Sequence, residues 1–342
     1  RGVIAGLLGA AAVAIYPAFL EYQGMLMSEP LAATLLSGAI LATLWARDRD
    51  ELARWLLPGL LLGALALTRP EYLAVAFLLA LAVLSRPSCL FVPYGETNRQ
   101  LGDGGRDGRW RRSGAQAAVM VAGLVLVVAP WTVRNAIALD RFVPISTGGG
   151  QVLFAGTYLP SDGDPERVGE EVVAENPDLF EPADARRLRL EQILAVLAAH
   201  RYPNLETDQA LSRMGREQLW DDITEEPLEY AGFVATKVGR IWSHGPRHVM
   251  REPLWEALHW ALVAFGMVGL VVLAWRRRWE ALLLATVFVS ITAISALLVA
   301  SPRRVLVMAP LVAALAGVGA TWSWGALREW RRPERAGAPQ AG

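Results

Sequence analysis

Apolar residues along this chain come in long runs, and the charges fall between them. Gly2 to Leu20, Leu31 to Ala46, Ala115 to Val133, Trp255 to Ala274, Ala281 to Ala300 and Val305 to Trp322 carry almost no charge. Runs of roughly 18 to 20 residues match a bilayer core of about 30 Å at about 1.5 Å per helical residue. Leu56 to Thr68 and Tyr72 to Leu84 are shorter and flank Arg69-Pro70-Glu71. Together they are too long for one crossing, and Pro70 breaks a helix interior, so they read as two spans meeting at a tight turn. The pattern predicts an all-α protein, a polytopic transmembrane helical bundle of about eight spans with both chain ends on one side.

The arginines orient the bundle. One side receives Arg47, Arg49, Arg54, Arg86, Arg99, Arg106, Arg109, Arg111, Arg112, Arg276 to Arg278, Arg328, Arg331, Arg332 and Arg335. Short arginine-rich loops mark the cytoplasm. The other side receives Glu21, the Arg69-Pro70-Glu71 turn, residues 134–253 and Ser301-Pro302-Arg303-Arg304. Trp45, Trp55, Trp131, Trp255, Trp275, Trp279, Trp322 and Trp324 fall near span ends, as an aromatic belt requires. The expected organisation is spans within 1–133, an irregular cytoplasmic loop at 86–114, a small helical extracytoplasmic domain at 134–253, spans again within 254–325, and a cytoplasmic tail at 326–342. This places the chain as a multi-pass protein of the plasma or inner membrane.

Within 134–253 the second half has helical periodicity. Leu190, Ile193, Leu194 and Leu197 form one apolar stripe, and further helices are expected over Glu206 to Trp220 and Pro227 to Trp242. The first half reads as loop, with Gly148-Gly149-Gly150 and Ser161-Asp162-Gly163-Asp164-Pro165 as turn signals.

Composition narrows the partners. The chain is 54% hydrophobic, and 33 basic residues offset 33 acidic ones, so net charge predicts no nucleic-acid partner. Lys237 is the only lysine. A single cysteine, Cys89, excludes an internal disulfide and a multi-cysteine zinc site. His244 and His248 stand four apart, but Gly245 and Pro246 between them argue against one helical face and against zinc. His200 and His259 read as lone structural histidines. No metal ligands are assigned, and the cofactor is left open, with a divalent metal ion as the candidate.

Four clusters on the non-cytoplasmic face carry candidate chemistry. Ser28-Glu29-Pro30 opens a span shortly after Tyr22. Ser28 as cap, Glu29 at the positive helix end and Pro30 in the first turn explain it structurally. A carboxylate at that depth is also able to bind a metal or take a proton. Arg69 and Glu71 sit in the short hairpin, either as an ion pair or as a guanidinium clamp for phosphate. Arg134 and Asn135 leave the membrane where the large insertion starts, as a solvated helix end or the edge of a cavity. Arg303 and Arg304 lie on the outer side against the positive-inside trend, which suits an anionic partner or plain solvation. Several arginines and a few acids on one face suit a lipid-linked phosphate, its leaving group stabilised by arginine.

The order of these motifs resembles that of GT-C membrane glycosyltransferases, in the protein-mannosyltransferase and aminoarabinose-transferase branch (glycosyltransferase family 39-like). The matching stretches are Leu26-Met27-Ser28-Glu29-Pro30-Leu31, Gly59 to Glu71, Ala129-Pro130-Trp131-Thr132-Val133-Arg134-Asn135 running into Phe142 to Thr147, and Pro302-Arg303-Arg304 to Pro310. The resemblance covers nearly the whole chain, though each motif is short. It implies an inverting transferase that moves a sugar from a polyprenyl-phosphate donor to a lipid, glycan or protein acceptor at the outer face. It implies Glu29 as the catalytic candidate, with Tyr22, Arg69, Glu71, Arg134, Asn135, Arg303 and Arg304 around the substrate. The family's last motif reads Arg-Tyr, and Arg304 stands where the tyrosine would be. The family's aspartate in the first outer loop has no counterpart here, so upstream residues are expected or the activity is lost. A transporter or lipid flippase, or a non-catalytic assembly subunit, are the alternatives.

Overall fold

The computed structural model describes residues 2–25, 27–48, 51–85, 105–162, 164, 166–243, 248–276 and 278–330. Every regular element among them is helical. The chain opens with α1 (Gly2–Ala14), α2 (Pro17–Gly24), α3 (Ser28–Arg47), α4 (Leu56–Thr68), α5 (Tyr72–Leu84) and α6 (Gly105–Leu139). A run of shorter helices follows: α7 (Gly149–Thr157), α8 (Val168–Glu175), α9 (Asp184–Arg187), α10 (Leu190–Arg201), α11 (Thr207–Glu225) and α12 (Pro227–Ser243). The last three are α13 (Pro253–Trp275), α14 (Trp279–Leu297) and α15 (Arg303–Trp330). Among the described residues, five helical stretches are long and apolar enough to cross a membrane: Ser28–Arg47, Trp110–Leu139, Pro253–Trp275, Trp279–Leu297 and Arg303–Arg328. Gly2–Ala14, Leu52–Thr68 and Tyr72–Leu84 are apolar but shorter.

Several boundaries differ from the sequence pattern for identifiable reasons. The first apolar run is split at Ile15 and Tyr16, because Pro17 disfavours helical backbone before it and starts a new helix itself. Of the irregular loop expected at 86–114, residues 105–114 instead form the first turns of α6, while 86–104 lie outside the described residues. Within 134–253 the first half is helical rather than loop. Gly148 takes a left-handed φ of 96° and starts α7. Gly150 lies so close to α11 that a Cβ would fall 2.0 Å from the Asp208 carbonyl oxygen, so it serves packing, whereas Gly148 has open space around it and serves the left-handed start. At the other end α15 runs on to Trp330, and 331–342 lie outside the described residues.

Three apolar clusters hold the described residues, the smallest of them joining Tyr16, Phe19, Tyr22, Ala33, Met250 and Leu306. The largest joins α3, α4, α5, α6, α14 and α15 through residues such as Leu36, Leu62, Leu79, Met120, Leu283 and Val307. The second lies within the middle segment, where Phe154, Val172, Leu194, Leu211 and Met214 pack together. Helices with apolar flanks gain little from burial against one another in lipid, so close backbone approach matters more. The chain supplies it with glycines. Cβ atoms built at Gly59, Gly269, Gly317 and Gly319 would lie 2.0 to 2.1 Å from backbone oxygens of the facing helix.

Contacts also fix which helix ends lie together. At one end of the bundle the start of α3, the α4–α5 turn and the start of α15 meet through charged side chains. At the other end Arg47 closes α3 against Glu280 of α14 at 2.8 Å, and the Trp279 indole N–H donates to the Ala82 carbonyl of α5.

Candidate functional site

Glu29 lies in the first turn of α3, where a carboxylate suits the positive end of the helix. Ser28 is already helical and Met27 is the cap residue, with no side-chain cap bond. Capping by Ser28 therefore does not account for this motif. Glu29 is only 3% exposed. Its Oε1 lies 3.2 Å from Nη1 of Arg69. Arg69 ends α4 in an extended conformation, and its Nε donates to Oε1 of Glu71 at 3.0 Å. Pro70 forces the turn, so Glu71 immediately precedes α5 and faces back. The same Glu71 oxygen lies 3.6 Å from Nε of Arg304. Arg304 is 6% exposed, and its Nη1 donates to the Val299 carbonyl.

The result is an alternating chain, Glu29–Arg69–Glu71–Arg304, assembled from the ends of four helices. Tyr72 stands within the field of all four charges and is 1% exposed. Eight buried side-chain polar atoms among the described residues lack a hydrogen-bond partner, and four of them are here: Glu29 Oε2, Arg69 Nη1, Tyr72 Oη and Arg304 Nε. Each such atom costs about 1–3 kcal/mol when buried, more if charged. Arg69 Nη1 and Arg304 Nε are engaged there in ion pairs at 3.2 and 3.6 Å, so Glu29 Oε2 and Tyr72 Oη are the groups with hydrogen-bonding capacity to spare.

The remaining candidates lie elsewhere. Arg303 is exposed, so Arg304 is the arginine of that motif that joins the cluster. Arg134 is exposed near the end of α6, stacked 5.3 Å over the Trp131 ring and donating to Asn135 Oδ1 at 3.1 Å. Asn135 is buried and spends its amide on the Val143 and Ile145 carbonyls, fixing the chain as it leaves the helix. Tyr22 packs with Tyr16, Phe19, Ala33, Met250 and Leu306, one turn of α3 beyond Glu29. Tyr72 closes the Thr68-Arg69-Pro70-Glu71-Tyr72 stretch, and only the structure gives it a place in the site. Lys237 carries no sequence signal beyond being the single lysine.

No group of three or more His, Cys, Asp or Glu among the described residues could hold a metal ion. His244 and the side chain of His248 lie outside the described residues. His259 is buried between the Tyr16 hydroxyl at 3.1 Å and the Trp242 carbonyl at 3.0 Å, a structural role.

An apolar groove of about 730 Å³ runs between α12, α13, α14 and α15. Val238, Val263, Met267, Phe288 and Leu315 line it. Its polar groups Trp242 and Thr292 bond each other at 3.2 Å, which leaves the walls oily.

A second cavity, about 600 Å³, lies within the middle segment and is rimmed by Glu175, Glu217, Asp221, Asp222, Glu226 and Glu229. Burial, then Asp221, Glu226 and Glu229, push the Asp222 carboxyl up to about 6. The folded chain thus keeps this proton after the unfolded chain has released it near 3.8, so stability falls as pH rises across that interval. Asp222→Asn is expected to raise the unfolding temperature at about pH 7.5 and to lose most of that advantage by about pH 4. Thermal unfolding at the two pH values checks this, and an equal shift at both would contradict it.

The described residues define an all-helical architecture with five helices long and apolar enough to cross a membrane and a buried charged cluster where several helices end. Neither a family model, nor a curated protein, nor a solved structure matches the chain.

Proposed function

We propose that this chain is an integral membrane glycosyltransferase that moves a sugar from a polyprenyl-phosphate donor to a lipid, glycan or protein acceptor. In this reading about eight helices serve as spans, the shorter apolar ones included. Residues 134–253 and the charged cluster lie on the extracytoplasmic side, as the arginine distribution requires. One observation carries the proposal. A buried cluster at helix ends combines a carboxylate oxygen and a phenol without hydrogen-bond partners with two guanidinium groups held in ion pairs, and an apolar groove in the same bundle suits a hydrocarbon chain. Carboxylate, guanidinium and oily groove are the three parts that transfer from a lipid phosphate needs.

The chemistry follows from those groups. The acceptor hydroxyl oxygen bonds to the anomeric carbon as the bond from that carbon to the phosphate oxygen breaks. Glu29 takes the hydroxyl proton through Oε2, which no side chain in the cluster occupies. Arg69 and Arg304 stabilise the charge that collects on the departing polyprenyl phosphate. Tyr72 donates to the same oxygens or to the sugar.

Purified full-length protein in lipid nanodiscs, supplied with radiolabelled polyprenyl-phosphate sugars and membrane extract as acceptor, is expected to yield a labelled product. Glu29→Gln keeps the shape and removes the base, so initial rates should fall by about 10²–10⁴-fold. Unchanged rates would remove Glu29 from catalysis. Sugar flux across sealed vesicles without covalent product would replace the transferase reading with transport.

A further inference from the structure

Lys237 is the most deeply buried charged side chain among the described residues, and the proposed reaction does not use it. It sits on the buried face of α12 with Tyr230, Phe233 and Ile241 and is 1% exposed. No carboxylate among the described residues pairs with it. Its ammonium instead donates to two main-chain carbonyls, Gly156 at the end of α7 at 2.6 Å and Leu298 just past α14. The Phe233 ring lies 4.9 Å from the nitrogen. The last carbonyls of a helix carry its negative end, so a cation there is well placed.

The neighbouring carbonyl is held in the same way. Val299 accepts from Arg304, and Arg304 continues to Glu71 at 3.6 Å, Glu71 to Arg69 at 3.0 Å and Arg69 to Glu29 at 3.2 Å. Two buried cations therefore grip successive carbonyls of the α14–α15 connection. One comes from the middle segment and the other from the candidate site. The approach is tight, since a Cβ at Gly156 would lie 2.4 Å from the Leu298 carbonyl carbon.

We propose that Lys237 is a positioning residue that pins α7 and α12 to the α14–α15 connection and so couples the middle segment to the Glu29–Arg69–Glu71–Arg304 cluster. When the segment lifts, the 298–299 backbone is released, Arg304 loses its anchor, and the turn carrying Arg69 and Glu71 loosens. A buried ion without a counter-ion is costly, and apolar residues of similar volume usually pack better. The lysine is retained for what it holds together.

Amide hydrogen exchange on the full-length protein in nanodiscs tests this without any donor or acceptor, so its outcome is independent of whether sugar transfer occurs. Lys237→Met keeps the volume and removes the donors. It is expected to speed exchange at least tenfold in residues 149–157, in 298–305 and in the 69–73 turn, where Tyr72 and Leu73 amides bond to Arg69 and Pro70 carbonyls. The α4–α6 crossing should stay as protected as in the parent. Lys237→Arg, which can still donate to two carbonyls, should restore most of the protection. Gly156→Ala, which keeps the lysine but drives α7 off Leu298, should reproduce the loosening and serves if Lys237→Met does not fold. Exchange unchanged in both loosening variants, raised only in 149–157, or raised uniformly along the chain would overturn the proposal.

Discussion

Arg69→Ala is expected to abolish donor binding and to destabilise the protein by about 3–5 kcal/mol, the usual cost of removing one partner from a buried ion pair. Arg69 is the centre of the cluster, touching Glu29 on one side and Glu71 on the other. Without it Glu29, which is 3% exposed, keeps a formal charge with no partner, and Glu71 retains only the longer contact to Arg304. Arg134→Ala is the informative comparison. Arg134 is exposed and, among the described residues, engages its neighbours Trp131 and Asn135, so its loss should change donor binding less than about threefold and stability by less than about 0.5 kcal/mol. Binding of a fluorescent polyprenyl phosphate and chemical denaturation of both variants measure the contrast. Equal losses in the two would show that no particular arginine grips the phosphate.

Gly269→Ala carries the second large expectation. A methyl at Gly269 falls 2.1 Å from the Leu315 carbonyl oxygen, and one at Gly319 falls 2.1 Å from the Phe265 carbonyl oxygen. The two glycines meet across one crossing of α13 and α15, so either substitution forces the backbones apart. Overpacking of this kind costs about 1–3 kcal/mol, and more when backbone rather than side chain must move. The same crossing places Gly266, Val312 and Leu315 in the wall of the apolar groove, so a widened crossing should weaken lipid binding as well. Gly232→Ala on α12 is the control, because nothing lies within 4 Å of its Cβ position. There the change should be neutral or add about 0.5–1 kcal/mol through helix propensity. Thermal unfolding in one lipid composition separates the two. Gly269→Ala at parental stability would mean the helices do not approach as closely as described.

Much of the architecture was legible because its signals are local. Apolar runs of bilayer length mark α13, α14 and α15, and Pro70 flanked by Arg69 and Glu71 marks the turn between α4 and α5. The convergence of Glu29, Arg69, Glu71 and Arg304 was legible only as a shared side of the membrane. That they touch depends on how the helix ends pack, which no spacing in the sequence encodes. The choice between Arg303 and Arg304 is of the same kind: adjacent residues at a helix start point about 100° apart, and the facing helices decide which is buried. Glycines and turn residues dominate 149–157 and 168–175 and predict loop, yet tertiary contacts with α11 and α10 outweigh local propensity. Lys237 gave no signal beyond its rarity, since its partners are backbone carbonyls distant in the chain.

The charged cluster is balanced, two guanidinium groups against two carboxylates. Such a quartet projects little long-range field, and electrostatic steering of the kind that draws anions into an open basic cleft is weak around it. Under the proposed function, recruitment of a lipid phosphate then falls to its hydrocarbon tail, which concentrates the molecule in the membrane before any headgroup is recognised, and electrolyte in the surrounding medium has little to screen.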